Sequence, residues 1–439
     1  MTGPGAVRTD VAGQVAALAL RVIGGELPIR LRAWDGSEAG PADGPVLVVR
    51  DRTALRRLLW HPNELGVAQA YVAGEIEVEG DLTDALRRVR RRFPARADSR
   101  VRIRAGDVLR AAVVAVRLGI VGARPAPPAG EARLTGPEHS RERDLAVVSH
   151  HYDLSNRFYA LILDPTMAYS CAYWRGLGPG YTLADAQRDK LALICRKLGL
   201  RRGMRLLDVG CGWGSLTMHA ALHHGVRVTA VTLSEQQRAH VARRIGNWGL
   251  GDLVDVHLRD YRDLRGGPYD AIASVEMGEH VGAERYGDFA TRLHGLLRPA
   301  GRLLVQQMSR SCGSPGGGRF IQTYIAADMH MRPVGETVDL LERAGFEVRD
   351  VQAMREHYVR TARAWLATIE QRWAEVVDLV GEPTARVWRL YLAGGALAFE
   401  HRRMGVDQIL AVRPAADGSS GLPLDRAALD LSRPDPCRW

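Results

Sequence analysis

Three glycines stand at alternate positions in Leu206-Leu207-Asp208-Val209-Gly210-Cys211-Gly212-Trp213-Gly214, directly after an apolar run and just before a helical pattern. Glycine at a strand-to-helix turn lets the backbone bend sharply and approach a ligand with no Cβ in the way. The spacing is G-x-G-x-G rather than G-x-G-x-x-G, Asp208 precedes the first glycine by two, and no phosphate-loop lysine follows. A nucleotide pyrophosphate is therefore disfavoured. The next strand-like run, Val226 to Val231, leads into Thr232-Leu233-Ser234-Glu235-Gln236-Gln237, and Asp260-Tyr261 follows a third run. At the carboxyl ends of strands in an open α/β sheet, these positions suit the ribose and adenine of a ligand. Other residues could do chemistry, each with an ordinary structural use beside it. Cys171 can be a small buried hydrophobe, Glu279-His280 a helix cap with its acid near the helix start, and Tyr358 a core tyrosine with a satisfied hydroxyl. His330 and His357 read as structural.

These residues need a scaffold, and the chain after residue 130 supplies a repeating one. Met204 to Val209, Val226 to Val231, Tyr269 to Val275 and Arg302 to Gln307 read as strands with helical patterns between them. That rhythm predicts an α/β fold with a mostly parallel, Rossmann-like sheet covered by helices on both faces. Thr361 to Arg403 reads as helices. Before the linker signal Pro125-Ala126-Pro127-Pro128-Ala129-Gly130, Val46 to Val49, Ala54 to Trp60 and Leu65 to Glu77 suggest a smaller α/β domain. The expected organisation is an N-terminal domain over 1–125, a linker over 126–140, a catalytic domain over 141–414 and a flexible tail over 415–439. No internal repeat is evident.

Composition narrows the class. The 439 residues are 46% hydrophobic and 25% charged, the balance of a folded globular protein of two or three domains. A net charge of +10 favours an anionic partner, although Lys190 and Lys197 are the only lysines and the other basic residues are all arginine. Arginines crowd Arg87, Arg88, Arg90, Arg91, Arg92, Arg96, Arg100, Arg102 and Arg104, ahead of the apolar Val108 to Val121. A basic segment next to an amphipathic one suits an anionic bilayer surface; the plainer use is a solvated helix face. Five cysteines without a C-x-x-C pair fit a reducing interior, and no metal ligand set is apparent. No secretory signal and no spanning apolar run is seen, so the expected location is cytoplasmic with peripheral membrane contact.

The glycine loop, its acid and the strand-end residues resemble a class I S-adenosylmethionine-dependent methyltransferase. Upstream lie His150-His151-Tyr152-Asp153-Leu154-Ser155-Asn156-Arg157-Phe158-Tyr159 and Leu163-Asp164-Pro165-Thr166-Met167-Ala168-Tyr169-Ser170-Cys171-Ala172-Tyr173-Trp174. With Asp208 to Gly214, Thr232 to Gln237 and Met277-Gly278-Glu279-His280-Val281-Gly282, these motifs resemble the cyclopropane-fatty-acyl-phospholipid synthase family, mycolic acid cyclopropane synthases included. The resemblance spans roughly His150 to Pro414 and, more weakly, the N-terminal domain.

That resemblance implies attack by the π electrons of a cis alkene in a phospholipid acyl chain on the sulfonium methyl, then proton removal from the resulting cation. The donor is S-adenosylmethionine, and bicarbonate is the bound base in family members. By residue matching, the backbone of Cys171, with Glu279 and Tyr358, would cradle the bicarbonate. Tyr169 and Ser170 would meet the methionine part of the donor, and Gly210, Gly212, Thr232, Leu233 and Gln237 the rest. Asp208, Gly214, Asp260 and Tyr261 complete the expected donor site. The family's N-terminal domain implies phospholipid binding and a homodimer.

Two departures stand out. Gln306, in Gln306-Gln307-Met308, replaces a family histidine; its amide can donate a hydrogen bond but cannot act as an acid or base. Tyr324-Ile325-Ala326-Ala327-Asp328-Met329-His330 replaces an aromatic-proline-glycine run. Both lie where the fate of the cation is decided. Proton loss with ring closure gives a cyclopropane. A hydride shift before proton loss gives an exocyclic methylene, the substrate of a downstream reductase that yields methyl-branched chains. The altered cradle resembles the methylene-forming branch, with the cyclopropane product as the alternative. Two further classes are a nucleic-acid methyltransferase, for which no RNA-binding signature is present, and a lipid-binding protein with an inactive catalytic domain.

Overall fold

The computed structural model describes residues 10–23, 25–92, 105–131, 135–152, 155–176, 178–311 and 318–424. The chain divides into two units: one of residues 1–131, 317–325 and 381–397, and one of 132–316, 326–380 and 398–439.

The first unit holds a small sheet of β1 (Arg30–Arg32), β2 (Glu38–Ala39), β3 (Val46–Val49) and β4 (Ile76–Glu79), in the order β2-β1-β3-β4. Its helices include Arg52–Trp60, capped by Asp51, and Glu64–Val72, capped by Asn63. The buried Arg57 guanidinium grips Glu75 with two hydrogen bonds of 2.9 and 2.6 Å and donates to the Ala126 carbonyl at 2.9 Å. That last bond ties part of the expected linker into this unit. Segments 317–325 and 381–397, expected in the catalytic domain, also group here, because Tyr324 donates to Glu131 at 3.1 Å and Arg386 pairs with Glu77 at 2.7 Å. The helix Ala105–Arg117 leaves Leu109 and Val116 exposed, at 68% and 70%. Arg96, Arg100, Arg102 and Arg104 lie outside the described residues.

In the second unit β5 (Arg205–Val209), β6 (Arg227–Thr232), β7 (Val254–Leu258), β8 (Tyr269–Val275), β9 (Leu297–Arg310), β10 (Glu347–Ala353) and β11 (Met404–Val412) form one sheet. Its order is β10-β11-β9-β8-β5-β6-β7, parallel from β9 through β7 and antiparallel where β11 joins β9 and β10. The mostly parallel α/β sheet is as expected; β10 and β11 are additional. Polar residues hide β11 in the sequence. The carboxylate of Asp407 accepts from Ser309 Oγ at 2.6 Å and the Gln408 amide donates to Gln306 Oε1 at 2.9 Å, so two polar side chains of a buried strand find partners on β9, while Gln408 Oε1 accepts no hydrogen bond among the described residues. With β11 in the sheet, the expected tail begins in ordered turns, Ala415 donating to the Ser419 carbonyl, while 425–439 lie outside the described residues.

Alternation along β5 decides which side chains serve which face. Leu206 joins a core with the helices Leu183–Leu198 and Ser215–His224, whereas Leu207 and Val209 join the opposite core with the helix Tyr286–Leu296. Asp208 follows Leu206's face, and the helices there supply Lys190 and Thr217. The packing of these helices also brings Cys195 Sγ and ring nitrogens of His219 and His224 within 4.8 Å of one another, a set with metal-ligand chemistry that sequence spacing does not reveal.

Candidate active site

A cleft opens at the carboxyl ends of β5, β6 and β8. Most of the residues expected at the donor site line it: Tyr169, Ser170, Asp208, Gly210, Gly212, Thr232, Leu233, Gln237, Asp260 and Tyr261. Gly210, Gly212 and Gly214 all adopt positive φ, of 81°, 54° and 82°. Gly210 and Cys211 both donate to the Val231 carbonyl at 3.0 Å, pinning the loop to β6. A Cβ on Gly214 would lie 2.9 Å from Val241, so this glycine lets the loop pack closely on the helix Glu235–Asn247, while at Gly212 a Cβ would meet no protein atom within 4 Å. The open backbone at Gly212 is the cradle that a donor molecule requires.

The remaining walls are built locally. Thr232 donates to the Gln237 side chain at 2.7 Å and accepts from Ser234 N at 3.1 Å, fixing the strand end. Asp164 accepts from the backbone of Thr166 and Ala168 at 2.9 and 3.0 Å, shaping the loop that delivers Tyr169 and Ser170. Ser155 caps the helix Asn156–Ile162, and Asn156 accepts from the Trp213 indole at 2.8 Å, joining an upstream motif to the glycine loop. The side chains of His150, His151 and Tyr152, with Asp153 and Leu154, lie outside the described residues. Asp260 spends its carboxylate on Arg262, accepting from its backbone and its Nε at 2.8 Å each.

Below the cleft the cradle is assembled around an unexpected carboxylate. Glu276 Oε1 accepts from Cys171 N and from Gln306 Nε2, both at 2.8 Å, and Oε2 accepts from the Tyr358 hydroxyl at 2.7 Å. Glu276 also lines the cleft. Of the residues that the resemblance put around a bound anion, Cys171 and Tyr358 thus converge, together with Gln306, on Glu276, and Glu279 does not join them. Glu279 lies on the following turn, Gly278–His280, where its Oε1 accepts from Met308 N; among the described residues its Oε2 has no hydrogen-bond partner. Gln306 is oriented by Gln408, and Tyr358 stacks on Phe399 at 4.4 Å between ring centroids. His357 accepts from Trp174 N at 2.9 Å through its ring, a structural use, and His330 donates its backbone N–H to the Glu279 carbonyl.

Glu276 sits at φ 52°, a left-handed conformation that costs a non-glycine residue about 1–2 kcal/mol. His139, Met167 and Asp328 also have positive φ and line the same cleft, so backbone strain concentrates there.

Electrostatics grade these acids. Burial pushes the Glu276 carboxyl up, opposed by hydrogen bonds from Tyr358, Cys171 N–H and Gln306 and by the Lys190 ammonium. Burial raises Asp208 to about 6 despite its 2.7 Å bond from Thr217 and the charge of Lys190. Lys190, fully buried, donates to Ser170 Oγ at 2.9 Å; burial lowers its pKa while Glu276, Asp164 and Asp208 support its charge. Burial, then the Glu276 charge, raises Glu279 to about 8.

That last value sets a pH dependence. The folded Glu279 carboxyl holds its proton to about 8, whereas an unfolded one ionises near 4.5, so unfolding releases a proton between those values. Its contribution to stability therefore falls as pH rises through this window. Glu279→Gln, which removes the titration and keeps an acceptor for Met308 N, should gain thermal stability relative to the unsubstituted protein between about pH 5 and pH 8. Melting curves across that range check it; parallel curves would contradict it.

Glu276, Lys190 and Gln408 are the site residues that sequence reasoning missed. A visible signal existed for two of them: an acid at the end of an apolar strand, and one of two lysines among many arginines.

A sheet of this order, with a glycine-turned loop after β5 and a cleft that the end of β6 lines through Thr232, Leu233 and Gln237, defines a class I S-adenosylmethionine-dependent methyltransferase. Comparison with known proteins places it further. Residues 139–409 match the mycolic acid cyclopropane synthetase family, and the chain belongs to it. It is 37% identical over 408 residues to a probable fatty acid methyltransferase of Pseudomonas putida, covering 91% of this chain and 95% of that one. It is 32% identical over 422 residues to the tuberculostearic acid methyltransferase UfaA1 of Mycobacterium tuberculosis, covering 92% and 93%. The crystal structure of mycolic acid cyclopropane synthase CmaA1 complexed with SAH and CTAB superposes with a TM-score of 0.58 at 33% identity, covering 61% of this chain and 97% of that one.

Proposed function

We propose that this enzyme transfers the methyl group of S-adenosylmethionine to the cis double bond of an unsaturated acyl chain in a membrane phospholipid, releasing a mid-chain methylene product. The observation that carries this reading is a buried carboxylate held by three donors at the floor of the donor cleft. The donor supplies an electrophilic methyl on a sulfonium. An alkene is a weak nucleophile, so the protein's part is alignment, exclusion of water and removal of a proton from the cation.

Tyr169 lies 5.3 Å from Trp365, and Trp365 lies 6.2 Å from Tyr358, between ring centroids. Rings of this kind can shelter an acyl chain and favour a nearby cation by about 0.5–2 kcal/mol. Relatives matched over nine-tenths of the chain are named as a probable fatty acid methyltransferase and a tuberculostearic acid methyltransferase, and the CmaA1 structure is complexed with CTAB, a long-chain detergent. The exposed Leu109, Val113 and Val116 support contact with a lipid surface, and among the described residues no helix is long and apolar enough to cross a membrane. The methylene assignment rests on the Glu276–Gln306 cradle in place of a histidine.

The test supplies labelled S-adenosylmethionine and a monounsaturated phospholipid and reads the product by NMR. Vinylidene protons are expected. Cyclopropane protons would overturn the product while leaving donor and acceptor in place, and a methylated RNA with no labelled lipid would overturn the acceptor.

A further inference from the structure

We propose that the carboxylate of Glu276 is itself the proton acceptor of the reaction, standing where the family resemblance puts a bound bicarbonate. This deepens the proposed function and rests on it for the acyl acceptor.

The donors decide the matter by count. A bound anion needs hydrogen-bond donors, and Cys171 offers one backbone N–H, Tyr358 one O–H and Gln306 two N–H groups. The Cys171 and Tyr358 donors go to Glu276; of the Gln306 pair, one goes to Glu276 and the other to the Cys171 carbonyl at 3.3 Å. No donor of this set remains for a second anion; the protonated Glu279 carboxyl adds a single O–H through Oε2, which alone does not cradle one, and a second negative charge beside a buried carboxylate would be repelled in a low-dielectric site. The residues present therefore do not fit bicarbonate. They fit a permanent, covalently attached carboxylate that the chain places there in a left-handed backbone conformation. A neutral donor at 306 is the matching choice: an imidazole could exchange a proton with Glu276, whereas the amide only donates to it.

The alkene π pair forms the new C–C bond to the methyl carbon, the C–S bond pair stays on sulfur, and neutral S-adenosylhomocysteine results. The cation on the chain moves by hydride shift to the methylated carbon. A methyl C–H then gives its proton to Glu276, and its electron pair becomes the exocyclic double bond. In the ring-closing alternative the proton leaves the same methyl, so the role of Glu276 does not depend on which product forms. The carboxylic acid then loses its proton to solvent.

The experiment uses the full chain with monounsaturated phospholipid vesicles in buffer stripped of carbon dioxide, with and without added bicarbonate. The unsubstituted enzyme should turn over at the same rate in both. Glu276→Gln should lose roughly 100-fold or more in turnover, the scale of a lost general base, with S-adenosylmethionine binding retained by calorimetry and no rescue by bicarbonate. Glu276→Gly, which frees the donors of Cys171, Gln306 and Tyr358 for an added anion, should lose turnover in stripped buffer and regain it on addition of bicarbonate. A rate that collapses on stripping, or a Glu276→Gln enzyme retaining more than half its turnover, overturns the assignment. Failure of the unsubstituted enzyme to methylate any lipid would instead count against the proposed acceptor.

Discussion

Gly210→Ala is expected to weaken S-adenosylmethionine binding by about 100-fold, the equivalent of nearly 3 kcal/mol. Two costs combine. The residue sits at φ 81°, where a Cβ is opposed by the backbone by about 1–2 kcal/mol. The new Cβ would also lie 2.7 Å from Met277 Cγ and 2.8 Å from Met277 Cβ. The second atom is tied to the backbone, so Met277 cannot simply rotate away, and relief requires moving the β8 end or the loop. Met277 adjoins Glu276, so turnover should fall along with affinity. Titration calorimetry with S-adenosylmethionine and a melting curve separate the two effects, with a modest drop in Tm and a large rise in Kd expected. Unchanged affinity would show that the loop does not approach the donor.

Lys190→Met should cost at least about tenfold in turnover near pH 7, with activity recovering as pH rises. The ammonium supports the ionised forms of Glu276 and Asp208 and donates to Ser170 at 2.9 Å. Methionine fills a similar volume without the charge. Both carboxyls, already raised by burial, should move higher, since loss of a nearby opposite charge disfavours ionisation. With Glu276 as proton acceptor, the active fraction below its pKa falls tenfold for each unit of that rise. The acid limb of the kcat profile should therefore shift alkaline. A rate loss uniform at all pH would assign Lys190 to packing or donor binding instead.

The two lysines illustrate how far sequence reading reaches. In a chain that uses arginine almost everywhere else, Lys190 and Lys197 are both buried, the first beside the cleft and the second 3.0 Å from Asp350 of β10. Rarity marked them, but only packing assigned them partners. Similarly, β5, β6, β8 and the core of β9 are legible as apolar runs because parallel strands are buried on both faces. β11 escaped because Asp407 and Gln408 interrupt its pattern, and their partners Ser309 and Gln306 lie about a hundred residues away in the chain.

By itself the sequence determined the class of fold, the donor cleft and most of its lining, since glycine turns, strand ends and caps are local events governed by neighbouring residues. The resemblance also named Cys171, Glu279 and Tyr358 as the cradle of a bound anion, and in the structure Cys171 and Tyr358, joined by Gln306, hold a carboxylate instead. Which carboxylate they hold was decided by tertiary structure alone. Glu276 and Glu279 are three residues apart and chemically identical, yet one faces groups 105, 30 and 82 positions distant while the other meets Met308. A left-handed backbone at the end of β8 turns the first toward the cleft, and no local pattern encodes that turn, because it is sustained by contacts assembled only when the sheet closes.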